Sequence, residues 1–228
     1  MRIHEEFPEV QIDEGCRIFP NVKIGRGSVI YGPSIIGQPP RGKKAGELPV
    51  VIGEGAVVRP FTTIYAGNQI GKDFQTGQGT SIREKNVLGD GVSIGTNAIL
   101  EFDNKIGNNV RVHSGCFLEM VTLGDNVFIG PNAVFTDDPH PMNCPHYKQC
   151  LGGAVVEDLA RIGANVTILP GVIIGRNALV GAGSVVVEDV PNDAVVVGNP
   201  AKVIKRVQDL TCPPGFFERP YLWAPYQA

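Results

Sequence analysis

An aliphatic residue returns at every sixth position along most of this chain, and few folds can accept that rhythm. Ile12, Ile18, Ile24, Ile30 and Ile36 open the series. From Ile52 to Leu118 it runs through Val58, Ile64, Ile70, Thr76, Ile82, Leu88, Ile94, Leu100, Ile106 and Val112, polar only at Thr76. One five-residue step resets the frame to Leu123, Ile129 and Phe135. After an interruption, Ile162, Ile168, Ile174, Val180 and Val186 close the series. Six is a multiple of the strand period and not of the helical one, so these side chains share a face only as short strands.

The residues between them supply the bends. Glycine often follows the aliphatic residue, as at Gly53, Gly71, Gly95, Gly163 and Gly181. Two places later asparagine or glycine dominates, as at Asn97, Asn109, Asn132, Asn165, Gly171 and Gly183, and both types tolerate left-handed backbone angles. The next position is small: Ala56, Thr62, Ala98, Ala133, Ala178 and Ser184 can tuck inside a corner. Short strands joined by such bends wind into a three-sided prism, three hexads to a coil. Roughly eight coils stacked at ~4.8 Å are expected around one dry core. A β-sandwich needs turn signals at wider spacing and alternating patterns, which this phase contradicts. Thr76 is read as an inward threonine that satisfies its hydroxyl on the backbone.

Composition narrows the setting. A net charge of −3 gives no reason to expect nucleic acid, and no apolar run approaches the ~20 residues of a membrane helix. The acidic opening segment has no apolar stretch of the secretory kind, and His4 within it is read as a surface residue. Five cysteines, an odd number without the spacing of a disulfide scaffold, favour a reducing compartment and hence the cytoplasm.

The expected β-helix occupies residues 1–204, with insertions at about 37–51 and 136–161, and an irregular or helical tail covers 205–228. The tail carries Phe216, Phe217, Tyr221, Trp223 and Tyr226 and is expected to cap a coil end or pack on a neighbour. In the first insertion Arg41, Lys43 and Lys44 could meet ligand phosphates, or form an ordinary solvated basic loop. The second concentrates Asp137, Asp138, His140, Cys144, His146 and Cys150, and long loops in compact repeat folds are usually functional or disordered.

The stretch from Ala160 to Pro191, followed by Gly198-Asn199-Pro200-Ala201-Lys202, resembles the C-terminal signature of hexapeptide-repeat acyltransferases, which are left-handed parallel β-helices. The resemblance implies an all-β, left-handed parallel β-helix, a homotrimer, and acetyl-coenzyme A in the groove between adjacent prisms. Mapped by motif, it implicates Ala164, Gly181, Ala182, Lys202 and Lys205 in holding the donor. A narrow thioester arm needs small neighbours and its phosphates need cations. The run Phe135-Thr136-Asp137-Asp138-Pro139-His140-Pro141 resembles the loop of sugar O-acetyltransferases in which a histidine takes the acceptor's proton, although Asp138-Pro139 before His140 departs from that pattern. The resemblance makes His140 the candidate base, oriented by Asp137 or Asp138, because a hydroxyl is a weak nucleophile near neutral pH and imidazole titrates nearby.

His113, at a corner where glycine usually sits, is the rival base. Glu84, Glu101 and Glu119 could line the acceptor pocket or make ordinary surface. The expected activity is acetylation of a sugar or nucleotide-linked sugar, at nitrogen or oxygen. Two other classes compete: a γ-carbonic anhydrase-like metal protein using His113, His140 and His146, and a catalytically silent scaffold. A structural zinc on His140, Cys144, His146 and Cys150, perhaps with Cys212, has suitable residue types but is not favoured, because the spacing is not a two-plus-two knuckle.

Overall fold

The computed structural model describes residues 7, 9–140 and 144–226, so His4 lies outside the described residues. Strands mostly two residues long, most of them ending on a member of the six-residue series, pair in parallel with the strand one coil away until the terminal hairpin. In the second sheet Ile64 stands over Ile82, Ile82 over Leu100 and Leu100 over Leu118, a step of three hexads per coil. Among the described residues the strands form three sheets of eleven, nine and eight members, the flat sides of a prism. The stacked Ile64, Ile82, Leu100, Leu118, Phe135 and Ile168 are fully buried, so each coil is held by apolar contact within and backbone hydrogen bonds between coils. The bends fall where the spacing placed them: Asn97, Asn109 and Asn165 all have φ of 54°.

Thr76 is buried and satisfied. It accepts the Arg59 N–H (2.9 Å), and its hydroxyl lies 3.1 Å from that of Thr62. Its partners are therefore an amide and a hydroxyl, and the carbonyl nearby is taken by Thr62.

Corners are named by the sheet they follow, and the second edge, between the second and third sheets, differs from the others. Both insertions leave the prism there: the first runs from the strand Ile35–Gln38 to the strand Val50–Ile52, and the second follows Val134–Phe135. The five-residue step at Leu118–Leu123 is a shortened corner on this same edge. The second insertion is shorter than the sequence suggests. Val155–Val156 already pairs with Thr122–Leu123 and Ile173–Ile174, so the rhythm resumes one hexad before Ile162, with Val156 fully buried. The long polar segment ahead of it masks Val156 as a phase marker.

Inside the second edge runs a ladder of buried asparagines. The Asn86 N–H donates to Asn68 Oδ1 (2.8 Å), that of Asn104 to Asn86 Oδ1 (2.9 Å), and that of Val121 to Asn104 Oδ1 (3.0 Å). Their amide groups donate outward to the carbonyls of Tyr65, Arg83 and Glu101. Each rung fixes the backbone from which the next outward side chain projects.

At the C-terminal end the strand Ala194–Gly198 turns back through Ala201–Arg206 as an antiparallel hairpin. The helical turn expected from Lys205 is instead a short 3-10 turn at Val207–Asp209, because Lys205 and Arg206 are held by strand pairing to Val195 and Ala194. The rest of the tail is irregular, with Tyr221 and Tyr226 laid over the Arg161 guanidinium at 3.8 and 4.9 Å. No helix of the described residues is long and apolar enough to cross a membrane.

Asn86→Ala removes a rung and leaves the Asn104 amide and the Arg83 carbonyl without that partner. Chemical denaturation is expected to show a loss of about 1–3 kcal/mol. An unchanged midpoint would mean that the ladder does not hold the edge.

Candidate functional site

Along the second edge the outward residue of successive coils reads Tyr65, Arg83, Glu101, Glu119 and Thr136, each one step after its core residue. The first insertion begins beside Tyr65, and the second leaves from Thr136. Arg83 is the hub. Its Nε pairs with Glu84 Oε2 (3.0 Å) and its Nη1 with Glu101 Oε2 (2.9 Å), while its guanidinium lies 5.3 Å from the centre of the Tyr65 ring.

Three carboxylates therefore face different environments. Burial pushes Glu84 up, but the Arg83 hydrogen bond and charge bring it below its ordinary value. Glu119 has no direct arginine partner at the edge. Burial first, then repulsion from Asp137 and Glu101, pushes its carboxyl up to about 7, with distant Arg83 opposing. Carboxyl groups driven apart in this way can divide charge-binding and proton-transfer roles. The sequence marked Glu119 only as an acceptor-pocket residue. Its elevated affinity for a proton comes first from burial and then from Asp137, which the second insertion carries past that coil.

The shortened corner and the loop return fit closely. Gly153 passes over the Met120 carbonyl so tightly that any Cβ there would collide with that oxygen. The loop neck is tied by the Gly152 N–H donating to the Asp137 carbonyl (2.9 Å). Beyond it, Asp138 Oδ1 accepts the backbone N–H of His140 (2.8 Å), a turn-stabilising contact and not one with the imidazole. His140 is exposed. Its ring shares a cluster with Cys144 and Cys150, the ligand-type atoms all within 4.8 Å of one another. His146 and Cys212 are not in that cluster.

The residues matched to donor binding lie elsewhere on the prism. Gly163, Ala164, Gly181 and Ala182 follow first-sheet strands and so occupy the first edge. Gly163, Gly181 and Ala182 line a cleft of about 350 Å³ with Arg161, Tyr221 and Tyr226. Lys202 and Lys205 project from the terminal hairpin; Lys202 pairs with exposed Glu188 (3.1 Å). Sequence reasoning missed Arg161, a buried cation whose Nη2 donates to the Asn177 carbonyl and side chain. Tail aromatics facing an arginine on a first-sheet strand were the available signal.

His113 also sits on the first edge. It lines a cleft of about 230 Å³ with Gly77, Gly95, Thr96 and Arg111, and its ring packs 5.1 Å from that of Phe128. Burial, then Arg111, lowers its pKa, which favours the neutral imidazole. The fold thus keeps His113 and His140 on different edges, and His113 does not join the His140 cluster. In the first insertion Lys43 is engaged by Glu47 (2.7 Å), while Arg41 and Lys44 are exposed.

Residues 153–187 match the bacterial transferase hexapeptide family (six repeats). The chain is 33% identical over 127 residues to galactoside O-acetyltransferase of Escherichia coli, covering 53% of this chain and 57% of that protein. It is 30% identical over 206 residues to the bifunctional protein GlmU of Fervidobacterium nodosum, covering 83% of this chain and 41% of that one. The chain therefore spans about half the length of the curated relatives it matches. Among solved structures it is similar to an Arabidopsis UDP-N-acetylglucosamine acyltransferase, with a TM-score of 0.58 at 18% identity over 87% of this chain and 73% of that one. That likeness shows the fold, a left-handed parallel β-helix.

Glu119 carries a stability signature. A carboxyl whose folded pKa is raised costs nothing below about 4.5, where it is protonated folded and unfolded alike, and destabilises the native state increasingly as pH rises towards 7. Glu119→Gln is therefore expected to gain melting temperature over the parent between pH 5 and 8, with the gap nearly level above that range. A gap independent of pH would show that Glu119 titrates normally.

Proposed function

We propose, from its likeness to hexapeptide-repeat acyltransferases, that the chain transfers an acetyl group from acetyl-coenzyme A to a hydroxyl or amine of a sugar or nucleotide-linked sugar. The first edge is the donor side: Ala164, Gly181 and Ala182 leave room for the thioester arm, and Lys202 and Lys205 meet its phosphates. The second edge is the acceptor side. A relative named galactoside O-acetyltransferase supports a sugar acceptor, and exposed Arg41 and Lys44 suit phosphates on it. Because the two sides lie on different corners of one prism, a homotrimer completes the site by setting one copy's first edge against a neighbour's second. The cytoplasm, reducing and rich in the donor, is the proposed setting.

The observation that carries this reading is the Glu119 carboxyl near neutral pKa, at the root of the second insertion. As the acceptor oxygen or nitrogen attacks the thioester carbonyl, its proton passes to Glu119. The carbon–sulfur bond then breaks, and the departing thiolate of coenzyme A takes up a proton. A base titrating near the operating pH combines the right protonation state with useful driving force. Glu101, fixed by Arg83, and Glu84 line the approach as acceptor-binding groups.

Glu119→Gln is expected to lower kcat with acetyl-coenzyme A by about 10²–10⁴-fold while the KM for the donor stays nearly constant. His140→Ala is expected to lower turnover far less than Glu119→Gln does. The reverse pattern, an active Glu119→Gln and an inactive His140→Ala, would return the base role to His140 and overturn this assignment.

A further inference from the structure

Where burial is described, no residue of the second insertion between Thr136 and Gly153 is buried, so these residues form no apolar core of their own. Its secondary structure is one short helix, Tyr147–Cys150, with no side-chain cap. Yet its neck positions Asp137, whose charge helps to raise the Glu119 pKa. Small units without a sufficient core are usually held by disulfides or a metal.

The side chains that converge in this loop are of the metal-binding kind. His140 and Cys144 precede the turn at Pro145 and His146, Cys150 ends the short helix, and one ligand atom from each lies within 4.8 Å of the others. A tetrahedral zinc site with Zn–S of about 2.3 Å separates its sulfurs by roughly 3.8 Å, so small side-chain adjustments close the set. Both cysteines are free thiols, half-buried, and thiolate with imidazole is the borderline-soft donor set that zinc prefers over magnesium or calcium. Asp138 holds the His140 backbone amide, which fixes the turn and leaves both ring nitrogens free of that carboxylate.

We propose that His140, Cys144 and Cys150 bind one zinc ion, which staples the second insertion and holds Asp137 beside Glu119. Three protein ligands leave a fourth position for solvent. Binding displaces the two thiol protons, so affinity falls as pH is lowered. His140 then acts as a ligand. The site does not depend on the acetyl-transfer reading, since its tests read metal and loop order.

The test uses the full chain, stripped with a chelator under reducing conditions and titrated with zinc alone, then with cobalt(II) alone. About one zinc per chain is expected by elemental analysis. Cobalt should give the visible absorption of a tetrahedral thiolate site, and zinc should protect two of the five cysteines from thiol reagent. The double variant C144S/C150S should lose the bound metal and the cobalt spectrum, whereas Cys212→Ser should retain both. Limited proteolysis should cut the loop faster in the stripped protein, while its melting transition, set by the prism, shows that the variants fold. Three results would overturn the proposal: no zinc binding by the reduced protein, zinc retained in full by C144S/C150S, or a Cys144–Cys150 disulfide that persists under mild reduction in place of metal binding.

Discussion

Vertical register between coils is the constraint on which everything else depends. Each strand is too short to be stable alone, so its position is fixed by the strands one coil above and below and by the aliphatic residue they share. A slip by one residue would turn every core side chain of a sheet outward. Because the register holds from coil to coil, residues three hexads apart become stacked neighbours. The outward faces therefore carry columns of side chains at regular spacing. A chemical site on such a scaffold is built by writing different residues into one column.

The second edge is written in that way. Its interior is an asparagine ladder where the equivalent positions of the other corners carry alanine, serine, threonine, cysteine, valine or phenylalanine. Its exterior runs from an aromatic ring through an arginine to two carboxylates, with Glu84 beside the arginine. Arg83 neutralises Glu84 and Glu101 by direct pairing, and Glu119, one coil further from it than Glu101, is left to burial and like charge. The column therefore separates carboxylates that bind charge from one that can exchange a proton near neutral pH. The insertions amplify the difference: Asp137 adds repulsion, and the shortened corner lets Gly153 close over Met120. The first edge, built of Gly163, Gly181 and Ala182, is smooth by contrast.

Much of the fold was legible in the residues because one short rule repeats. The aliphatic phase gave the strands, the asparagines and glycines gave the left-handed bends, and both insertions stood out as breaks. The rule failed where local composition hid it: Val156 resumed the rhythm inside what read as loop, and Lys205–Arg206 read as helical although hairpin pairing claims them. The candidate site was harder, because proximity within a column decides chemistry and residue type does not. Glu119 is an ordinary glutamate until the fold buries it and sets Asp137 and Glu101 around it. His140 attracted the base role by resemblance of its loop, yet its spatial neighbours are two thiols. Arg161 became visible only when the tail folded back to cover it.

Carbon-13 NMR of the side-chain carboxyls, followed across pH in the unmutated protein, measures the central quantity without any assay of turnover. The account predicts a Glu119 resonance with a midpoint near 7, well separated from Glu84 below its ordinary value. A Glu119 midpoint close to 4.5, alongside the exposed glutamates, would mean that the second edge does not shape its carboxylates, and the account would fail.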